Sequence, residues 1–296
     1  MNMIVNTTNG TPKNDIVVRE KLDFKLDDSI PRYWMNNDPY LTRFFDGVCA
    51  TFPEGERYFI SSVRQLRNQV TDPKLLQEVK DFMRQEGQHG IVHTEFNQIL
   101  QEQGMPIEAL LAYQKKIFAW QLENFSPEYN LAITAACEHI TALMAECFFA
   151  KTETMAGADY RVRAMLAWHS VEEMEHKAVA FDVMKSAQIS YAVRASAMVY
   201  LTAHFTLESL RHTHDFLKAD GFTLRERINF ARKGLPKVFG RKGLLAPMAK
   251  SWFDYFRPSF HPWQHPAIAQ YQVWLDVFAL TGDPIQAGEA FHQAGI

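Results

Sequence analysis

From residue 53 onward, apolar residues recur at three- and four-residue steps along most of the chain, the mark of helices that bury one face. Pro53-Glu54-Gly55-Glu56 opens such a stretch, which runs to about Gln69, since proline suits a first helical turn. Thr71-Asp72-Pro73 reads as a turn and N-cap. The Leu75, Leu76, Val79, Phe82, Met83 series then predicts a helix to about Gln103, stopped by Gly104 with Pro106 beyond. A shorter helix is expected over about 107–123. Ser126-Pro127-Glu128 caps a long one through about Met155, and another starts near Asp159 and continues to about Ile189. After Ser190 a further helix reaches about Ala219, and the last part of the chain gathers most of the late Pro and Gly. No alternating run bounded by turn signals demands a strand.

The expected class is therefore all-α. Four long helices between 54 and 189 form the central bundle. Residues 1–30 are a polar arm covering it, 31–189 hold the bundle, and 190–296 supply additional C-terminal helices packed on it as one compact domain.

Composition narrows the possibilities. The chain has 296 residues, 47% of them hydrophobic and 13% aromatic, which excludes disorder for most of its length. With 31 basic and 34 acidic residues there is no electrostatic footprint for nucleic acid. Three cysteines without CxxC spacing, and a start lacking a charged and then apolar leader, point to a reducing, cytoplasmic setting. The uncharged run Ala195–Leu207 is shorter than the ~20 residues that span a bilayer, so no membrane span is expected.

Two Glu-x-x-His pairs carry the candidate chemistry: Glu86-Gly87-Gln88-His89 and Glu173-Met174-Glu175-His176. A third, Glu289 to His292, lies in the tail and matches what chance supplies. The first two sit mid-helix among apolar residues, and each follows a helix with a lone glutamate: Glu56 before Glu86, Glu138 before Glu173. A helix, a turn and half a second helix bring such paired carboxylates to one level of an antiparallel hairpin. The chain thus reads as a duplicated hairpin. Four carboxylates would neutralise two divalent cations, with imidazoles completing the set. His169, Glu173 and His176 fall within roughly 60° of arc on one helix, so His169 is a candidate seventh ligand, on one metal only. Phe82 occupies the equivalent place in the first half.

Other residues receive blander readings. Glu56 lies deeper in its helix than Glu54. Glu172 and Glu175 point away from the ligand face and are expected on a solvated surface. His93 is expected to be a hydrogen-bonded core histidine, and His139 no ligand. His212 and His214 are expected to be exposed. Small residues near the ligands (Gly87, Gly90, Thr134, Ala135, Thr141, Ala142) would leave room for an organic substrate, walled by Phe59, Phe82 and Phe181.

The series Glu56, Glu86-x-x-His89, Glu138, His169-x-x-x-Glu173-x-x-His176 resembles the ferritin-like di-iron oxygenases that oxidise aryl amines, with four glutamates and three histidines around two irons. Those oxygenases commonly carry an acidic residue before the Glu of each pair; Glu172 fits and Gln85 does not. Pro53-Glu54-Gly55-Glu56-Arg57 and the segment from Trp168 to Lys177 are similar to a bacterial family described as predicted metal-dependent hydrolases, a likeness covering most of the chain. The first resemblance implies a ferritin-like four-helix bundle holding two Fe ions, or an Fe/Mn pair. It also implies O2 as co-substrate, a small apolar or aromatic organic substrate, and a ferredoxin or flavoprotein as electron donor. The second implies dinuclear metal-dependent hydrolysis, although no GxSxG or HExxH motif accompanies it. A non-catalytic metal-binding or structural helical protein is the remaining alternative. The surplus of late aromatics predicts a homodimer.

Overall fold

The computed structural model describes residues 15–149 and 151–295, with two short strands, Thr7–Thr8 and Thr11–Pro12, paired antiparallel. Of the expected N-terminal arm, residues 1–6, 9–10 and 13–14 lie outside the described residues. The chain is an all-α helical bundle. In order, its helices are α1 Pro39–Cys49, α2 Phe52–Leu66, α3 Pro73–Glu102, α4 Ile107–Asn124, α5 Pro127–Phe149, α6 Thr152–Met155 and α7 Tyr160–His176. Then follow α8 Val179–Ser186, α9 Tyr191–Ala219, α10 Leu224–Phe239, α11 Met248–Asp254, α12 Tyr271–Thr281 and α13 Pro284–Gln293.

Local chemistry sets these limits. Asp72, Asp159 and Ser190 accept hydrogen bonds from backbone N–H groups of the first turns of α3, α7 and α9, the donors a helix start leaves unpaired. Gly104 and Gly221 stop α3 and α9 with φ of 89° and 88°, backbone that a side chain disfavours. Two boundaries differ from the sequence pattern. The helix expected through Met155 stops at Phe149, with the single turn α6 after it. The helix expected through Ile189 breaks after His176, and α8 follows. In that break lies Lys177, buried, whose ammonium donates to the carbonyl of His265 at 2.7 Å. Tertiary contact, not local propensity, marks this end.

α2, α3, α5 and α7 form the centre: α2 packs on α3 and α5, and α7 on α5 and α3. α9 lies against α1 and α5, α11 against α5, and α13 against α7. α5 is long and apolar enough to cross a membrane by length and composition, a feature the Ala195–Leu207 reading passed over, and 94% of its apolar window is buried inside the fold. Helices that are covered on all sides need no polar face, which accounts for the weak amphipathicity of α5 and α7.

The arm is more than a cover. Phe24 is buried and packs on Trp168, ring centroids 5.4 Å apart, and Ile30 is buried too. α1 is joined to the end of α9 by ions: the fully buried Arg43 donates to Asp46 at 2.6 Å and to Asp220 at 2.8 Å, while Trp34 Nε1 donates to Asp46 at 2.8 Å. Removing the cation would leave Asp46 buried without a counter-charge and Asp220 with Arg32 alone, 2.7 Å away. Arg43→Leu is therefore expected to cost about 3–5 kcal/mol of unfolding free energy, read by chemical denaturation; a loss below about 1 kcal/mol would contradict the pairing.

Candidate metal centre

Four helices bring the seven candidate residues together. Glu56 comes from α2, Glu86 and His89 from α3, Glu138 from α5, and His169, Glu173 and His176 from α7; all are buried. Glu54, the competitor of Glu56, pairs instead with Arg57 near the surface. Two overlapping groups have donor atoms within 4.8 Å of one another: Glu86, His89, Glu173 and His176, and Glu56, His89 and His169. Glu138 belongs to neither group but places Oε2 3.4 Å from His176 Nε2. The same nitrogen lies 3.1 Å from Glu86 Oε1 and 3.4 Å from Glu173 Oε1.

Many of the inward-facing atoms have no hydrogen-bond partner. Both carboxylate oxygens of Glu56 and of Glu138, Oε1 of Glu86, Nδ1 of His89 and Nε2 of His176 are all orphaned. Stranding so many polar atoms in a core is very costly, unless cations bind them. Oxygen and imidazole donors of this kind suit divalent transition metals, so the residues present fit a buried centre able to hold two ions.

Electrostatics point the same way. Burial, then the neighbouring carboxylates, pushes Glu56 and Glu138 well above the ordinary carboxylate range. Burial raises Glu86 as well, against the pull of His176. On Glu173 burial is outweighed by His176 and His169, which hold it low. On His176 burial is outweighed by Glu173, Glu86 and Glu138, which raise it. Burial, followed by the like charge of neighbouring histidines, lowers His89 and His93.

The outer nitrogens of the two motif histidines are held crosswise. His89 Nε2 lies 3.1 Å from Glu172 Oε2, and His176 Nδ1 lies 2.8 Å from Gln85 Oε1. The residue just before the Glu of one motif thus fixes the imidazole of the other, leaving the opposite ring nitrogen aimed at the centre. Gln85 performs this role without charge. Glu172 and Glu175, expected on a solvated surface, are instead fully buried. Arg19 from the arm donates to Glu172 at 3.0 Å and to Glu175 at 2.7 Å. Glu175 also accepts from Gln85 at 2.7 Å and from Tyr271 at 3.0 Å. Burial pushes Glu172 up to about 8, with Arg19 opposing. Helix periodicity misplaced these glutamates because it assumes one exposed face, and α7 has none. Arg19, in a stretch with no periodic pattern, carried no signal that sequence reading could use.

The remaining histidines settle as follows. His93 Nε2 is 2.7 Å from His169 Nδ1, and His169 Nε2 is 3.1 Å from Glu173 Oε1, so His93 is a hydrogen-bonded core histidine. His139 turns from the centre to the carbonyl of Ser251, 3.1 Å away. His212, expected to be exposed, is buried 3.2 Å from Gln114 because α1 packs on α9 there, where a Cβ at Gly47 would stand 3.0 Å from His212 Cβ. His214 lies near the surface beside Arg227, at 2.6 Å.

A cavity of about 70 Å³ adjoins the centre. Phe52, Phe59, Phe118, Ile133, Leu201 and Phe205 give it apolar walls, and Glu56, Glu86, His169 and Glu173 border its inner end. Thr141 lines it and donates to Glu173 Oε2 at 2.5 Å. Of the expected walls, Phe59 lies here. Phe82 packs on His176 from another side, and Phe181 packs on Tyr255 and Phe260. Among the small residues Thr141 borders this cavity, whereas Ala142 does not. Gly87 and Gly90 face a separate groove between α2 and α3, which reaches Glu56 and Glu86 from the surface. A Cβ at Gly90 would stand 3.1 Å from Glu56 Oε2, and one at Gly87 would meet nothing within 4 Å.

Two expectations follow. Above 6.5, the ordinary histidine value, His89 and His93 are neutral whether folded or not. His176, raised well above its ordinary value, and Glu172, pushed up to about 8, still hold protons in the metal-free fold that the unfolded chain has released. The folded state then binds more protons, so stability falls with rising pH. Calorimetry of the metal-free chain should show the melting temperature dropping as pH rises from about one unit above the ordinary histidine value, where the histidines that burial lowers no longer titrate, toward the value of about 8 at Glu172. The metal-loaded chain should lack this drop, because cations displace those protons. A flat metal-free profile would contradict it. Separately, Gly87→Leu should fold normally and take up metal at least several-fold more slowly by stopped-flow, with unchanged final content.

Comparison with known proteins supplies a family. Neither the curated proteins nor the solved structures contain a match to this chain. A family model described as "Predicted metal-dependent hydrolase" matches residues 18–266. Because that match runs from the arm holding Arg19 through all seven donor residues to the segment before α12, the chain belongs to the family of predicted metal-dependent hydrolases.

Proposed function

We propose that this chain is a dinuclear metal enzyme that oxidises an apolar organic substrate with dioxygen. The observation that carries the reading is the convergence of four buried carboxylates, Glu56, Glu86, Glu138 and Glu173, beside an apolar cavity. Two iron ions, or an Fe/Mn pair, held by these residues with His89, His169 and His176 would supply redox chemistry with dioxygen. Four carboxylates against two divalent cations leave little net positive charge. Oxygen and imidazole donors of this kind can hold iron or manganese, so the donor set is compatible with redox chemistry.

The remaining work falls to the protein. Glu172 and Gln85 hold the imidazoles of His89 and His176 in one orientation each, and Arg19 anchors Glu172. Thr141 fixes one oxygen of Glu173. The aromatic walls exclude water from the reacting end, and the groove at Gly87 and Gly90 offers small polar species a separate way in. Electrons would come from a ferredoxin or flavoprotein.

One observation favours a second reading, hydrolysis: the family's own description is that of a metal-dependent hydrolase. In that case the same residues would hold metals that activate a water and polarise the substrate. A single preparation separates the two. The chain is loaded anaerobically with ferrous iron and its metal content measured, then exposed to air while dioxygen uptake and visible absorption are followed. Parallel zinc- and manganese-loaded samples are assayed on alkyl esters. About two irons per chain with rapid dioxygen uptake, lost in Glu138→Ala, supports oxidation. Ester cleavage by the zinc or manganese form, with no reaction of the iron form toward dioxygen, overturns it in favour of hydrolysis.

A further inference from the structure

A second apolar cavity, of about 330 Å³, lies between α9, α10 and α11 and shares two residues, Phe205 and Ser209, with the cavity at the metal centre. The two differ in what they can hold. The inner space of about 70 Å³ has room for a reacting group and little more, while the outer one falls within the size range of small-molecule sites. Ile140, Met144, Leu245, Met248 and Trp252 help to line the outer cavity, and no charged side chain does. Its polar atoms are largely occupied: Thr202 accepts from Trp252 Nε1 at 2.9 Å, and Ser209 donates to the Phe205 carbonyl at 2.7 Å. A ligand there finds hydrocarbon and aromatic surface, so its buried part must be apolar.

The rim differs from the interior. Phe239 and Phe253 line the cavity and are themselves 41% and 68% exposed, which places them at the mouth. Lys250 follows the lining residue Ala249, and Arg241 and Lys242 lie in the short segment between the lining residues Phe239 and Leu245; all three are exposed, and no ion pair is formed by them among the described residues. From residue 224 to 257 the chain carries nine Lys and Arg against two acidic residues, although the whole chain has a net charge of -3. A basic mouth over an apolar chamber matches a molecule with an anionic head and a hydrocarbon tail.

We infer that the chamber between α9 and α11 binds the hydrocarbon chain of an anionic amphiphile, with its head at the Arg241–Lys242–Lys250 rim and its far end passing Phe205 toward the metal centre. The direction of the chain rests on the metal-centre reading; occupancy of the chamber does not. The Phe205 ring stands where the two cavities meet and sets how far a chain can advance.

Isothermal titration of the full-length chain with dodecanoate, dodecanol and butyrate, in metal-loaded and metal-free forms, tests this independently of any turnover. Dodecanoate is expected to bind one per chain and butyrate not at all. Thr206→Trp, which fills the chamber, should weaken dodecanoate at least tenfold with metal content unchanged. Ala249→Trp, at the exposed rim, should do the same if the first variant folds poorly. Lys242→Glu with Lys250→Glu should weaken dodecanoate several-fold at low salt and leave dodecanol unaffected. Absence of dodecanoate binding, or an affinity unchanged from that of the parent chain in both tryptophan variants, overturns the inference. So does sedimentation with phosphatidylglycerol vesicles in a chain that takes up no dodecanoate, because the basic face would then read a bilayer surface. If dodecanoate binds as expected but iron fails to react with dioxygen, the chamber stands and the oxidase reading alone falls.

Discussion

Burying carboxylates at the centre of a helical bundle is the constraint to which the rest of this structure answers. Glu56, Glu86, Glu138 and Glu173 meet at a depth where water does not solvate them, and several of their oxygens find no donor in the protein. Without cations the fold must keep protons on acids or leave charge uncompensated, both at the expense of stability. With cations the same residues would tie α2, α3, α5 and α7 to one point. Stability and function are therefore joined here. The centre is a weak place in an empty protein and a strong one in a loaded protein.

The surroundings show how the burden is distributed. Behind the imidazoles, Glu172 and Glu175 would add two more buried negative charges, and Arg19 reaches in from the N-terminal arm to meet them. Arg19 also lies 5.1 Å from the ring of Trp274 in α12, so the arm and the C-terminal helices are joined through the same guanidinium. Tyr271, at the start of α12, adds a further donor to Glu175. Segments distant in sequence are thus recruited to orient ligands they never touch. The crosswise support of His89 by Glu172 and of His176 by Gln85 also makes the two halves unequal, an acid behind one imidazole and an amide behind the other.

Access is divided as well. On one side an apolar cavity meets the centre beneath Phe52, Phe59 and Phe205, and on another the side-chain-free edge at Gly87 and Gly90 opens a groove to the surface. A centre with both openings can admit an apolar molecule and small polar species without either crossing the path of the other. The family's description is that of a hydrolase, and a buried set of carboxylates and imidazoles can hold two divalent metals for either kind of chemistry.

The helical class, the main helix boundaries and the inward set of Glu and His were all legible in the sequence. Helix periodicity and Glu-x-x-His spacing are local, and they repeat in the two halves of the chain. The paths of the inner helices were harder. Periodicity presumes a solvent face, so it put Glu172 and Glu175 outside; α7 is covered by segments that no local pattern announces. The early end of α5, the break at Lys177, the reach of Arg19 and the separation of the two cavities by Phe205 arise from contacts between residues far apart in the chain. The sequence by itself determined which residues have the chemistry to hold metals. Only the tertiary structure decided what stands behind each ligand and where a substrate has room, because burial and hydrogen-bond partners depend on what other segments cover.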